Sequence, residues 1–195
     1  MDNNFILSLY TRPQTVFSFD EIAQLFPDIP YDSLRGRLHY FTKINKLIRI
    51  QRGIYAKIEY SHYEIANKLY TPSYISLETV LSRGGVTFQY YETIFAISYI
   101  TRALSVQGVA IQYRRINSSI LTNADGVEHK EGYAIATLER AFLDAVYIYK
   151  NYHFDNLGVL NWEKVENLKK LYHNKAFEKR VESYHQLYKE EYGKH

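Results

Sequence analysis

Between Ser33 and Ile58 the chain carries seven basic residues, Arg35, Arg37, Lys43, Lys46, Arg49, Arg52 and Lys57, and no aspartate or glutamate. The whole protein has a formal net charge of +3, so removing those seven leaves −4 on the remainder. A basic stretch in an otherwise acidic chain is what a phosphate-binding surface requires, because neutralised phosphates release condensed counterions and supply most sequence-independent affinity for nucleic acid. A solvated basic face without a partner has the same charge. The scaffold that presents these residues distinguishes the two.

Other groupings of reactive side chains are weaker. The seven histidines never adopt a ligand spacing such as H-x-x-x-H, and there is no cysteine, so no metal set is expected. Neither a glycine-rich phosphate loop nor a G-x-S-x-G elbow occurs. Glu139, Arg140 and Asp144 form the most suggestive polar cluster of the second half. A glutamate at a helix start complements the helix dipole, and an arginine four residues before an aspartate forms an i,i+4 pair. Asp125, Glu128 and Lys130 have the order of a nuclease D…E-x-K site, which gathers carboxylates around a metal, but they crowd about the Asp125-Gly126 turn signal instead of occupying two adjacent strands. No catalytic residue, metal or cofactor is therefore expected, and the chain is not expected to be an enzyme.

The elements that must carry the basic residues are legible in the first sixty positions. Phe5, Ile6, Leu9 and Tyr10 have helical spacing, and Pro13 ends that helix. Thr15-Val16-Phe17 reads as a short extended piece. Ser18 with Glu21 three residues on is a capping box, opening a second helix with Ile22, Leu25 and Phe26 inward and a stop at Pro27. A third helix is expected from Tyr31 to Asn45, with Tyr31, Leu34, Leu38, Phe41 and Ile44 as its apolar stripe. Its opposite face carries Asp32, Ser33, Gly36, His39, Tyr40 and Lys43, with Arg35 on the flank and Arg37 nearer the apolar edge. Residues 47–50 and 54–57 read as two strands joined by a tight turn at Gln51-Arg52-Gly53. Helix, helix, turn, helix and basic hairpin is the order of a winged helix-turn-helix, whose third helix enters the major groove of double-stranded DNA while the wing meets the backbone. The expected DNA-binding residues are Ser33, Arg35, Gly36, Arg37, His39, Tyr40, Lys43, Lys46, Arg49 and Arg52.

The second part, from about residue 61, reads as a mixed α/β domain with a helical C-terminal end, making the whole α+β. Ser61 is a candidate cap for a linking helix that ends near Thr71-Pro72. A helix is expected to begin at Ser76 and stop at Gly84-Gly85. Strands are expected from Glu92 to Arg115, with Asp125-Gly126 as a turn. Thr137 caps a helix with Leu138, Ala141, Phe142, Ala145, Val146 and Tyr149 on one stripe, and two helices follow from Trp162. With no leader-like start, no membrane-length apolar run and no cysteine, the cytoplasm is the expected location, with no membrane partner.

Three segments, Leu47 to Tyr55, Ser73 to Leu81 and Ile135 to Asp144, together resemble the AbiEi antitoxin family of transcriptional regulators, in a likeness that spans roughly residues 5 to 170. That resemblance implies the antitoxin of a type IV toxin-antitoxin pair used in phage defence. Its winged helix represses its own promoter at inverted repeats, with a homodimer on DNA as one arrangement, while its C-terminal domain counteracts a nucleotidyltransferase toxin. A stand-alone regulator or a protein-interaction adaptor has the same sequence features.

Overall fold

Phe5 and Leu9 lie one helical turn apart and both are buried, so α1 (Asp2–Tyr10) turns one stripe into a core. The computed structural model describes residues 2–193 and divides them into two units. The first contains the residues up to Thr71 together with Lys130–Tyr133; the second contains Pro72–His129 and the residues from Ala134 onward.

In the first unit α1 is followed by β1 (Val16–Ser18), α2 (Phe19–Leu25), α3 (Tyr31–Lys43), β2 (Ile48–Gln51), β3 (Ile54–Ala56) and α4 (His62–Leu69). The strands form an antiparallel sheet in the order β1-β3-β2. Ser18 and Glu21 make both bonds of a capping box, so two amide groups at the start of α2 find side-chain acceptors. Phe5, Leu9, Phe17, Ile22, Leu34, Leu38, Phe41, Leu47 and Tyr55 share one core, with Leu25 and Phe26 packed partly buried against it.

The apolar stripe of α3 is shorter than its spacing indicates. Leu34, Leu38 and Phe41 are buried, but Tyr31 is 60% exposed and Ile44 is 41% exposed, because both lie at the ends of the helix beyond the core. Tyr31 rests against the Phe19 ring instead, 5.6 Å away. The helix stops at Lys43, and Asn45 takes a positive φ of 54°.

Ser61 makes no side-chain cap for α4; its amide donates to Thr15 Oγ1 at 2.8 Å. Glu64 instead anchors α4 to the unit. Its buried carboxylate accepts from the amides of Thr15 and Val16 at 2.8 and 2.9 Å and from the Thr15 hydroxyl at 2.8 Å. Gly132 packs against it with φ +88°, and a Cβ there would stand 2.4 Å from Glu64 Cδ.

The second unit runs β4 (Ser73–Ile75), α5 (Glu78–Arg83), β5 (Ile94–Ser98), β6 (Arg102–Val106), β7 (Val109–Arg115), α6 (Ser118–Leu121), β8 (Val127–Lys130), β9 (Tyr133–Ala136), α7 (Leu138–Ile148), α8 (Trp162–Lys169) and α9 (Lys175–Tyr192). Its sheet has the order β6-β7-β5-β4-β9-β8 and is mixed: β4 pairs antiparallel with β5 and parallel with β9, while β5 pairs parallel with β7. The molecule is α+β.

One local expectation fails. Ser73 to Ile75, ahead of the expected helix, forms the central strand β4, too short for alternation to reveal. Leu77 has φ +54°, which breaks the chain between strand and helix, so α5 begins at Glu78 and not at Ser76. Asp125-Gly126 forms the expected turn, with Gly126 at φ +74° and the Val127 amide donating to Ala124 O at 2.9 Å. It precedes β8, and the turn between β8 and β9 contains Gly132. The helix capped by Thr137 and the two C-terminal helices form as expected.

Candidate nucleic-acid interface

The α3 face left outside the core exposes Ser33, Arg35, Gly36, His39, Tyr40 and Lys43. Beside it stands the β2–β3 hairpin, whose turn is held by the Phe19 amide donating to Gly53 O at 2.7 Å. Gly53 has φ +78°, a conformation that strains other residues, and a register shift between Arg49 and Gln51 twists the ribbon. Together the first turn of α2, α3 and the hairpin enclose an open cleft of about 750 Å³, lined by Arg35, His39, Arg49 and Arg52 over Phe19 and Tyr55. Arginines from the helix and the hairpin, with one imidazole, thus converge on one concave surface.

The other expected residues are dispersed. Ser33, Gly36, Tyr40 and Lys43 are exposed on α3 but do not line this cleft. A Cβ at Gly36 would meet nothing within 4 Å, so no packing inside the protein requires glycine there. Arg37 is half-buried, its guanidinium 5.9 Å from the centroid of the Phe5 ring at the core edge. Lys46 lines a different groove with Leu7, Tyr10 and Ile58. Lys57 is not a surface charge at all: it is 7% exposed, and its ammonium donates to Tyr10 O at 3.3 Å and Arg12 O at 2.5 Å. Burial lowers its pKa, against the opposing field of Glu64. One of the seven basic residues is therefore a structural tie between β3 and the end of α1.

A segment without acids is not a surface without acids. Asp20, from the first turn of α2, lines the cleft, and Asp32 lies 3.2 Å from Arg35 Nη1. Neither carboxylate belongs to the Ser33–Ile58 stretch. Arg35 is further placed over the Phe19 ring, 5.6 Å from its centroid. Its environment was invisible to charge counting because Phe19 and Arg35 lie sixteen positions apart on separate helices.

The polar cluster of the second unit is of another kind. Arg140 and Asp144 form the expected i,i+4 pair at 3.4 Å, yet both side chains are 0% exposed. The guanidinium donates to Asp125 O at 2.6 Å, Ile120 O at 2.8 Å and the Tyr74 hydroxyl at 3.1 Å. Asp144 accepts from Tyr172 at 2.7 Å, Ser76 at 2.8 Å and Tyr74 at 3.0 Å. Burial pushes the Asp144 carboxyl up while Arg140 and the hydroxyls pull it down, and burial together with Asp144 pushes Tyr74 and Tyr172 well above the usual phenol range. Asp125 contributes its backbone carbonyl here, Glu128 and Lys130 share the single strand β8, and Glu139 accepts from the Asn161 amide at 3.2 Å at the cap of α8. No three of histidine, aspartate and glutamate gather to hold a metal among the described residues.

A third polar group surrounds Glu78, which is buried and faced by Tyr149, Arg114 and Tyr152. Burial raises its carboxyl, and Tyr149 is pushed up to about 12 by burial and by Glu78. No helix among the described residues is long and apolar enough to cross a membrane. No protein-family model and no curated protein matches the chain, so the family resemblance rests on the three segments quoted above.

Proposed function

We propose that the chain is a winged helix-turn-helix regulator that binds double-stranded DNA and represses transcription. In this reading α3 lies in the major groove and the β2–β3 hairpin is the wing on the adjacent backbone. The observation that carries it is the convergence of Arg35, His39, Arg49 and Arg52, from helix and hairpin, on one open cleft. The element order and the β1-β3-β2 sheet support the same scaffold. With the resemblance to AbiEi antitoxins, the fuller reading is an antitoxin in the cytoplasm that occupies inverted repeats in its own promoter as two copies, while its second unit counteracts a nucleotidyltransferase toxin.

The test is a mobility shift of the full chain on duplex DNA from upstream of its own reading frame. If Lys43, Arg49 and Arg52 each neutralise one phosphate, the log-log salt slope is near −2.7, and a fourfold rise in salt weakens binding roughly 40-fold. A slope near zero overturns the DNA reading. Footprints confined to one isolated half-site overturn the two-copy arrangement. For the antitoxin reading, co-expression with a neighbouring nucleotidyltransferase-like protein should protect cells; unchanged killing overturns it.

A further inference from the structure

Resting on the DNA-binding reading, we infer that Arg35 is a guanine reader held in place by Asp32 and Phe19, and that it is not one of the phosphate clamps of the cleft. Three observations set it apart from Arg49 and Arg52. First, its Nη1 donates to Asp32 Oδ1 at 3.2 Å, within one turn of the same helix. Second, one face of the guanidinium lies over the Phe19 ring at 5.6 Å, and Phe19 is itself braced by Tyr31 at 5.6 Å. Third, the pair stays open to solvent, with side-chain exposures of 67% and 95% for Arg35 and Asp32, so a ligand can reach it.

The geometry leaves a specific set of donors. With Nη1 directed to Asp32, the Nε and Nη2 hydrogens remain as two parallel donors, the fork that matches the O6 and N7 acceptors on the major-groove edge of guanine. The electrostatics point the same way. A guanidinium beside a carboxylate is a formally neutral unit, which gains little from a phosphate but keeps its directional hydrogen bonds for an uncharged base edge. Asp32 would also face an approaching phosphate as a like charge. It lies in the first turn of α3, the part of a recognition helix that reaches base edges. Stacking on Phe19 removes rotamer freedom that the side chain would otherwise lose on binding. Asp32 and Phe19 are positioning residues in this scheme, and Arg35 makes the contact.

The experiment selects the preferred duplex for the full-length protein from a randomised pool, then measures affinity for it and for every single G·C replacement across a salt series. Wild-type protein, Arg35→Lys, Asp32→Asn and Arg52→Ala are compared, with circular dichroism to verify folding. Arg35→Lys keeps its positive charge but loses the fork. It should keep the wild-type salt slope and lower the preference for one G·C pair about 5- to 140-fold. Asp32→Asn frees the guanidinium charge, so non-specific affinity should rise, the slope should steepen by about 0.9, and preference at that same pair should fall. Arg52→Ala should make the slope shallower by about 0.9 and weaken all sequences alike.

Retention of every G·C preference by Arg35→Lys overturns the inference while leaving DNA binding intact. So does an Asp32→Asn protein whose slope and preference equal those of wild type. If folded wild-type protein binds no duplex in the pool, the DNA reading itself is overturned, an outcome distinct from both.

Discussion

Arg35 and Arg140 are the same residue type in opposite circumstances. Arg140 is wholly buried, and protein acceptors take hydrogen bonds from all three of its side-chain nitrogens. Arg35 has one carboxylate and one aromatic face, and the rest of its guanidinium meets solvent. The difference shows how an arginine cluster is to be interpreted: where the protein has already answered every donor, the charge organises the fold, and where donors remain on a concave surface, they are available to a ligand. Glu64 and Lys57 extend the comparison into the first unit, because both are buried and satisfied there. The contrast is between burial states and not between units.

The broadest attempt to break this comparison replaces Arg35, His39, Tyr40 and Arg52 by alanine together. Each contact to a base or phosphate contributes roughly 1–3 kcal/mol, so operator binding should be lost, while the urea midpoint should scarcely move because all four side chains are exposed. The variant should still protect in the toxin co-expression assay. Protection no better than that of a chain cut after Tyr70 would show that the two functions do not divide as proposed.

Arg140→Met should do the reverse. It leaves Asp144 buried without its cation, at a cost of about 3–5 kcal/mol in urea denaturation. Adding Asp144→Leu should recover part of that cost, since a buried pair removed whole is far less damaging than one broken. Equal destabilisation by single and double variants would mean that the hydroxyl network, and not the ion pair, carries the cost.

Gly132→Ala probes the buried carboxylate of the first unit. The new Cβ would meet Glu64 at 2.4 Å, and φ is +88°, so a loss of about 2 kcal/mol in thermal or urea unfolding is expected. A neutral effect would show that Glu64 shifts freely and does not anchor α4.

The smallest effect concerns Glu78. Burial raises its carboxyl above the ordinary 4.5, so as pH climbs past 4.5 the unfolded chain releases a proton that the folded chain still holds. Stability is therefore lost as pH rises through the window from 4.5 up to the raised folded value. Glu78→Gln stays neutral and should remove that fall, ending slightly more stable than wild type at neutral pH. Parallel pH profiles for variant and wild type, followed by urea midpoint, would reject the assignment.

Much of the first unit was legible because its signals are local. The capping box at Ser18 and Glu21, the proline stops, the Leu34-Leu38-Phe41 stripe and the turn at Gly53 each follow from residues within one or two helical turns. The strand β4 was missed because three buried residues carry no period, and its place at the centre of a sheet depends on partners in β5 and β9 that lie twenty to sixty positions away. The exposure of Tyr31 and Ile44 was missed because helical spacing states which face a residue occupies, not how far the core extends along it.

By itself, then, the amino-acid sequence determined the helices of the first unit, the hairpin and the concentration of positive charge on its last elements. It also placed Arg140 four residues before Asp144. Only the tertiary structure decided that Lys57 is a buried tie, that Lys46 faces another groove, that Asp20 and Asp32 enter the basic surface, and that Arg140 is sealed from solvent. The reason is physical: charge and helix propensity are properties of a segment, whereas whether a donor is satisfied depends on acceptors brought to it from distant parts of the chain.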